Sequence, residues 1–235
     1  MARFFLDPAQ WLVDPALAGD EAVHCARVLR LKAGDEIEVF DGRGRGAMAE
    51  IVSVHRDRVA LRLGAVEEES PPQVRLVLAA AVLKGKAMEW MLQKAVELGV
   101  DEIQPLRTRH AVVKPGEDKP EKWRRIVLEA CKQCGRKRMP AVGDLMDFPD
   151  LVRSASGLRL LASLAGQPRP MRECLQQGPV HAGVTLLIGP EGDFSKEETA
   201  MALDAGWQPV SLGNTVLRSE TAAIFGAAAL RYAFE

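Results

Sequence analysis

Hydrophobic and polar positions change their rhythm once along this chain, near residue 70. Before that point the apolar positions alternate over short stretches. Ile37-Glu38-Val39-Phe40 alternates, Asp41-Gly42 supplies a turn, and Ala47 to Val54 runs as the next strand. Val59-Ala60-Leu61-Arg62-Leu63 alternates again. One helical piece is predicted from Ala22 to Leu31, because Val23, Ala26 and Leu29 are spaced for one face. A stretch of short strands this long predicts a small β-barrel. Beyond residue 73 the pattern becomes continuous. Val74 to Ala81, Leu158 to Ala162 and Val184 to Ile188 read as strands covered on both faces. Ile103 to Leu106 and Val210 to Leu212 are shorter strands.

Helices are predicted between these strands. One runs from Met88 to Leu98 and stops at Gly99, and another opens at Pro120 and runs to about Cys134. Ser195-Lys196-Glu197-Glu198 has the spacing of a capping box, starting a helix that ends near Gly206, and Thr221 to Phe234 is the last helix. Strands alternating with helices predict an α/β domain on a mainly parallel sheet. The rhythm breaks at Glu67-Glu68-Glu69-Ser70-Pro71-Pro72, where like charges repel and prolines cannot join a ladder. The break predicts two domains, 1–70 and 73–235, although a surface loop within one domain fits the same residues.

The 235 residues carry a formal net charge of −1, so bulk charge does not announce a nucleic-acid binder. Charge is unevenly placed. From Lys84 to Arg138 there are 14 basic and 8 acidic residues, net +6, whereas residues 1–70 hold 9 basic and 13 acidic, net −4. Any RNA-binding face in the first domain must therefore be a local cluster such as Arg3, Arg27, Arg30, Arg43 and Arg45. No apolar run is long enough to span a bilayer and the N-terminus does not read as a signal peptide, so the expected compartment is the cytoplasm. The cysteines Cys25, Cys131, Cys134 and Cys174 show no disulfide-scaffold spacing, and Cys131-x-x-Cys134 lacks a second pair at zinc-finger spacing. His24, His55, His110 and His181 form no metal-ligand spacing, and Trp11, Trp90, Trp123 and Trp207 read as packing.

Candidate chemistry lies in two glycine-bearing loops at predicted strand ends. The first is Ile188-Gly189-Pro190-Glu191-Gly192-Asp193-Phe194-Ser195, and the second is Leu212-Gly213-Asn214-Thr215-Val216-Leu217-Arg218-Ser219-Glu220-Thr221-Ala222. Ligands of open parallel sheets sit beyond the carboxyl ends of the strands, and glycine there lets the backbone approach them. Neither loop is a dinucleotide fingerprint or a phosphate-binding P-loop, which disfavours a nucleotide-binding oxidoreductase.

Taken together, these motifs resemble the RsmE family of 16S ribosomal RNA uridine-N3 methyltransferases, within the SPOUT superfamily. His24-x-x-Arg27-Val28-Leu29-Arg30, Lys94-Ala95-Val96-Glu97-Leu98-Gly99-Val100 and Glu129-Ala130-x-x-Gln133-x-x-Arg136 extend the resemblance over most of the chain. The resemblance implies an N-terminal PUA-like RNA-binding domain and a catalytic domain with a C-terminal trefoil knot. It also implies S-adenosylmethionine as cofactor, a homodimer through the catalytic domain, and a uridine of 16S RNA in the 30S subunit as target. The implied donor-binding residues are Leu187, Gly189, Pro190, Glu191, Gly192, Leu212, Gly213, Val216, Leu217, Arg218, Thr221 and Ala222. The implied RNA contacts are Arg3, His24, Arg27, Arg30, Lys84, Arg109 and Arg136. Catalysis is assigned to Arg218, whose guanidinium stays charged and can stabilise a uracil anion, and to Glu220, as the residue that orients Arg218 or the cofactor. Methyl transfer from a sulfonium needs no metal. Two departures stand out: Asp193 where the family often has glycine, and Cys134 where serine is more frequent. A ribose 2′-O methyltransferase and a silent RNA-binding assembly factor are the alternatives that share these features.

Overall fold

The computed structural model describes residues 1–11, 13–111, 119–176 and 183–234; His181 lies outside them. The chain divides into two compact units, Met1–Pro71 with Leu128–Met139, and Pro72–Val127 with Pro140–Glu235. The short segment Leu128–Met139 joins the first unit from far along the chain, which no local pattern announces.

The first unit is built on β1 (Arg3–Phe5), β2 (Ala16–Ala18), α1 (Gly19–Val23), β3 (Glu36–Phe40), β4 (Arg45–Val54) and β5 (Arg58–Glu68). The strands form one sheet in the order β1-β3-β4-β5-β2, with β1 and β3 parallel and the other pairs antiparallel. Alternation places Ile37, Val39, Ala49, Ile51, Val59 and Leu61 in one core with Phe4, Leu6 and Trp11. The helix expected over residues 22–31 is shorter and starts earlier. α1 gives way to a π turn at His24–Val28, where the Leu29 N–H reaches back to the His24 carbonyl at 3.0 Å. Cys25 lies in the core, while Val23 and Leu29 of the expected apolar face are exposed. The turn at Asp41-Gly42 is held by a buried carboxylate. Asp41 accepts from the Arg43 and Arg45 main-chain N–H groups and from Arg45 Nε. Burial pushes this carboxyl up, but the Arg45 and main-chain bonds outweigh it and hold it below its usual range.

The second unit contains β6 (Leu76–Ala81), α2 (Lys86–Glu97), β7 (Glu102–Arg107), most of α3 (Lys119–Cys134), β8 (Ala141–Val142), β9 (Met146–Asp147) and α4 (Phe148–Ser154). It continues with β10 (Leu158–Ala162), β11 (Arg169–Pro170), α5 (Met171–Leu175), β12 (Val184–Ile188), α6 (Lys196–Asp204), β13 (Gln208–Ser211) and α7 (Ser219–Phe234). Its sheet has the order β11-β13-β10-β12-β6-β7-β8, with β9 also on β7, and every pairing is parallel. The continuous apolar runs have their expected cause: all of Val184–Ile188 is buried in the middle of the sheet. Ala79, Leu106, Leu161 and Leu187 pack with Phe148, Phe194 and Trp207 in one cluster. Among the described residues, no helix is long and apolar enough to cross a membrane. Trp11, Trp123 and Trp207 are buried as expected of packing residues, whereas Trp90 is half exposed.

Candidate active site

All strands of the second sheet run the same way, so the segments that follow β10, β12 and β13 emerge at one end. Together they enclose a cavity of about 340 Å³. Its apolar walls come from Ile188, Val210, Leu212, Val216, Leu217 and Ala222, and its polar groups include Glu191, Asp193 and Arg218. A pocket of this size, mostly apolar with few polar groups, suits a nucleoside-sized ligand.

The loop after β12 is fixed at both ends. Gly189 is required by space: a Cβ there would stand 3.1 Å from Phe194 Cε2 and 3.3 Å from Asp193 Oδ1. The loop turns through a bond from the Asp193 N–H to the Pro190 carbonyl at 3.0 Å. It then enters α6 through the predicted capping box, with Ser195 Oγ accepting from the Glu198 N–H and Glu198 Oε2 accepting from the Ser195 N–H. His110, which the sequence presents as scattered, lies with Nδ1 3.2 Å from the Gly192 carbonyl and 3.1 Å from that of Asp193. The loop after β13 has another cause for its glycine. Gly213 has φ 139° with open space around it, so conformation and not packing selects glycine. Ser211 Oγ donates to the Gly213 carbonyl at 2.9 Å and secures the turn.

Of the predicted donor-binding residues, Gly189, Pro190, Glu191, Leu212, Gly213, Val216, Leu217, Arg218 and Ala222 line the cavity. Leu187 stands one residue below it, buried in β12 in register with Leu161 and Ala79. Gly192 and Thr221 are exposed and do not line it. The Arg218 carbonyl accepts from the Ala222 N–H at 2.8 Å, while its side chain is exposed on the cavity and is joined by no hydrogen bond or ion pair to another described residue. Glu220 is half-buried in the first turn of α7, away from the lining, and no bond joins it to Arg218. Sequence reading missed the third wall, Ser163, Leu164 and Pro168. The Gly and Pro that follow buried strand β10 were an available sign of a loop at the same sheet end.

The RNA candidates differ in their surroundings. Arg3 is engaged within its unit, donating from Nε to Glu38 at 2.7 Å and from Nη1 to the Lys132 carbonyl at 2.8 Å. The His24 ring lies 5.8 Å from that of Phe4. Arg27, Arg30 and Lys84 are exposed, and Arg136 is half-buried. Arg109 pairs with Glu197 at 3.2 Å, while its N–H donates to Glu198. Lys84 and Arg109 follow β6 and β7 at the sheet end that holds the cavity. Cys131, of the C-x-x-C, is buried, which pushes its thiol up to about 12 and leaves it unreactive. Among the described residues no group of side chains is arranged to hold a metal.

A parallel α/β sheet with a cavity at its C-terminal end, in a chain that also carries a separate small β unit, is a build shared by RNA methyltransferases. The family model for the RNA methyltransferase domain matches residues 69–231, and that for the RNA methyltransferase PUA domain matches 17–64. The ribosomal RNA small subunit methyltransferase E of Synechocystis is 36% identical over 199 residues, 83% of this chain and 65% of its own length. That of Mycobacterium tuberculosis is 31% identical over 217 residues, 87% of this chain and 81% of its own. The crystal structure of the Neisseria gonorrhoeae enzyme of that name, bound to S-adenosyl methionine, superposes with a TM-score of 0.88 at 28% identity, covering 99% of this chain and 97% of its own. The chain belongs to the ribosomal RNA small subunit methyltransferase E family, RsmE.

Proposed function

We propose that this protein transfers a methyl group from S-adenosylmethionine to N3 of a uridine in 16S ribosomal RNA of the small subunit. The observation that carries the reading is the cavity between the 189–193 and 211–219 loops in a chain of this family. The names of the relatives and the donor bound in the Neisseria structure support it. The residues present fit the donor. Apolar walls suit the adenine and ribose faces, the Gly189 backbone is part of the lining, and the mouth carries the exposed Arg218 guanidinium.

Bound S-adenosylmethionine supplies an electrophilic methyl on a sulfonium. The chain's own task is the nucleophile, because uridine N3 holds a proton at neutral pH. Arg218 donates to a uracil oxygen and stabilises the negative charge that spreads onto the ring as the N3 proton passes to solvent water at the cavity mouth. The cavity residues would hold the donor in place for an approaching uridine, which would remove much of the entropic cost of their encounter. Exposed Lys84, Arg27 and Arg30 hold the RNA by its phosphates. A homodimer paired through the second unit, a trefoil knot and a cytoplasmic location belong to the same proposal. Exposed Phe225 and Tyr232, seven residues apart on α7, support the pairing. The passage from β10 to β12 on one side and back to β13 on the other supports the knot.

The test is methylation of small ribosomal subunits from cells lacking the gene, with labelled donor and nucleoside mass spectrometry. The expected product is 3-methyluridine at one position. A ribose-methylated nucleoside, or no transfer while the donor binds, contradicts the reading.

A further inference from the structure

Asp193 holds a left-handed backbone, φ 55°, which costs a residue with a side chain more than glycine. Three bonds to one carboxylate offset that cost. Oδ1 accepts from the Phe194 N–H at 2.8 Å, while Oδ2 accepts from the Leu164 N–H and from Ser163 Oγ, each at 3.2 Å. Ser163 Oγ also accepts from the Ala165 N–H at 3.1 Å. One side chain from the loop after β12 thus holds the turn after β10, and both segments line the cavity. Among the described residues, these are the hydrogen bonds that join the Ser163–Leu164 turn to the 189–195 loop. The turn carries Leu164, an apolar side chain 66% exposed; Val216, from the loop after β13, is 75% exposed. Such side chains at a cavity mouth lose water contact when a ligand lies between them.

We infer that Asp193 is a positioning residue that ties the turn after β10 to the loop after β12 and so sets how long the methyl donor stays bound. The inference rests on the reading of the cavity as the donor site. Escape of the donor parts the walls, and the carboxylate bonds resist that parting. Bonds to an ionised acceptor are the stronger kind, so their loss is felt mainly in the release rate.

The experiment is stopped-flow release of S-adenosylmethionine, chased with excess S-adenosylhomocysteine, with a thermal melt of each protein. Asp193→Gly removes the tether and relieves the strained φ, so it keeps the wild-type melting temperature or raises it, while release is about tenfold faster. Asp193→Asn tolerates the left-handed backbone but keeps one acceptor oxygen, so its release rate falls between the two. Ser163→Ala speeds release in the wild type and adds nothing in Asp193→Gly. Equal release rates in wild type and Asp193→Gly, or additive effects of Ser163→Ala, overturn the inference. Ala222→Trp, with Val216→Trp as its more exposed alternative, fills the cavity and serves as control. If neither weakens donor binding, the cavity reading fails and the tether with it. If either blocks binding while Asp193→Gly releases at the wild-type rate, only the tether is overturned.

Discussion

Replacing Gly189 with alanine adds one methyl group at the floor of the cavity, and its surroundings determine what that group costs. The new carbon would lie 3.1 and 3.3 Å from two atoms of the Phe194 ring and 3.3 Å from Asp193 Oδ1, a few tenths of an ångström inside ordinary contact. Phe194 cannot swing into water to make room. It is 6% exposed, and its ring sits 5.4 Å from that of Phe148 in the core. Overpacking by one methyl group in such a place costs about 1–3 kcal/mol. If the loop absorbs half of that strain by moving toward the donor, affinity falls about two- to tenfold. Isothermal titration with S-adenosylmethionine and a denaturant melt measure the two effects separately. Phe194→Leu in the same chain makes room and recovers part of the donor affinity. Gly213→Ala is the contrast. Nothing stands within 4 Å of its Cβ, so its cost of about 1–3 kcal/mol is conformational and Phe194→Leu does not relieve it. Unchanged donor affinity in Gly189→Ala, or equal relief of both variants by Phe194→Leu, would refute the steric reasoning.

Arg218→Ala lowers kcat about 10²- to 10³-fold in single-turnover methylation while donor affinity changes far less, because the lost interaction acts on charge that develops in the reaction. Asp41→Asn destabilises the protein at neutral pH, and the deficit shrinks with acid. The folded carboxyl titrates below its ordinary value of 3.8, so its contribution is full above that value and disappears as pH falls through the lower folded one. Melting temperatures of both proteins, followed from neutral pH down through the carboxylate range, check this. Ser195→Ala removes the cap of α6 and costs about 1 kcal/mol in a denaturant melt; an unchanged midpoint would show that the box contributes nothing.

What could be read in advance was whatever local spacing encodes. The strands β6, β10 and β12 were visible as largely apolar runs, interrupted only by Arg159 and Thr185, and the box at Ser195–Glu198 as a spacing of polar residues. Two of the three cavity walls were legible because two glycine-bearing loops, with Glu191, Arg218 and Glu220 embedded among apolar residues, both fall at predicted strand ends. Features that depend on distant partners were not. Lys132 is nearly buried, bonded to Glu21 and Glu129, and nothing in its neighbourhood of the sequence foretells a partner 111 residues earlier. Arg3 reads as a free basic residue, yet Glu38 and the Lys132 carbonyl take it up. The π turn at His24–Val28 defeats a periodicity argument because its five-residue step moves side chains off the expected face. Asp193 was visible as a departure from glycine, but its role depends on a turn thirty residues away that only the fold brings beside it.

The central claim is that the three loops beyond β10, β12 and β13 form the methyl-donor site. A crystal structure of this protein soaked with S-adenosylmethionine tests it most directly. Density for the donor is expected between Gly189 and Leu217, with its methyl directed toward the side on which Arg218 stands. Donor density elsewhere on the molecule, with this cavity filled only by solvent, would contradict it.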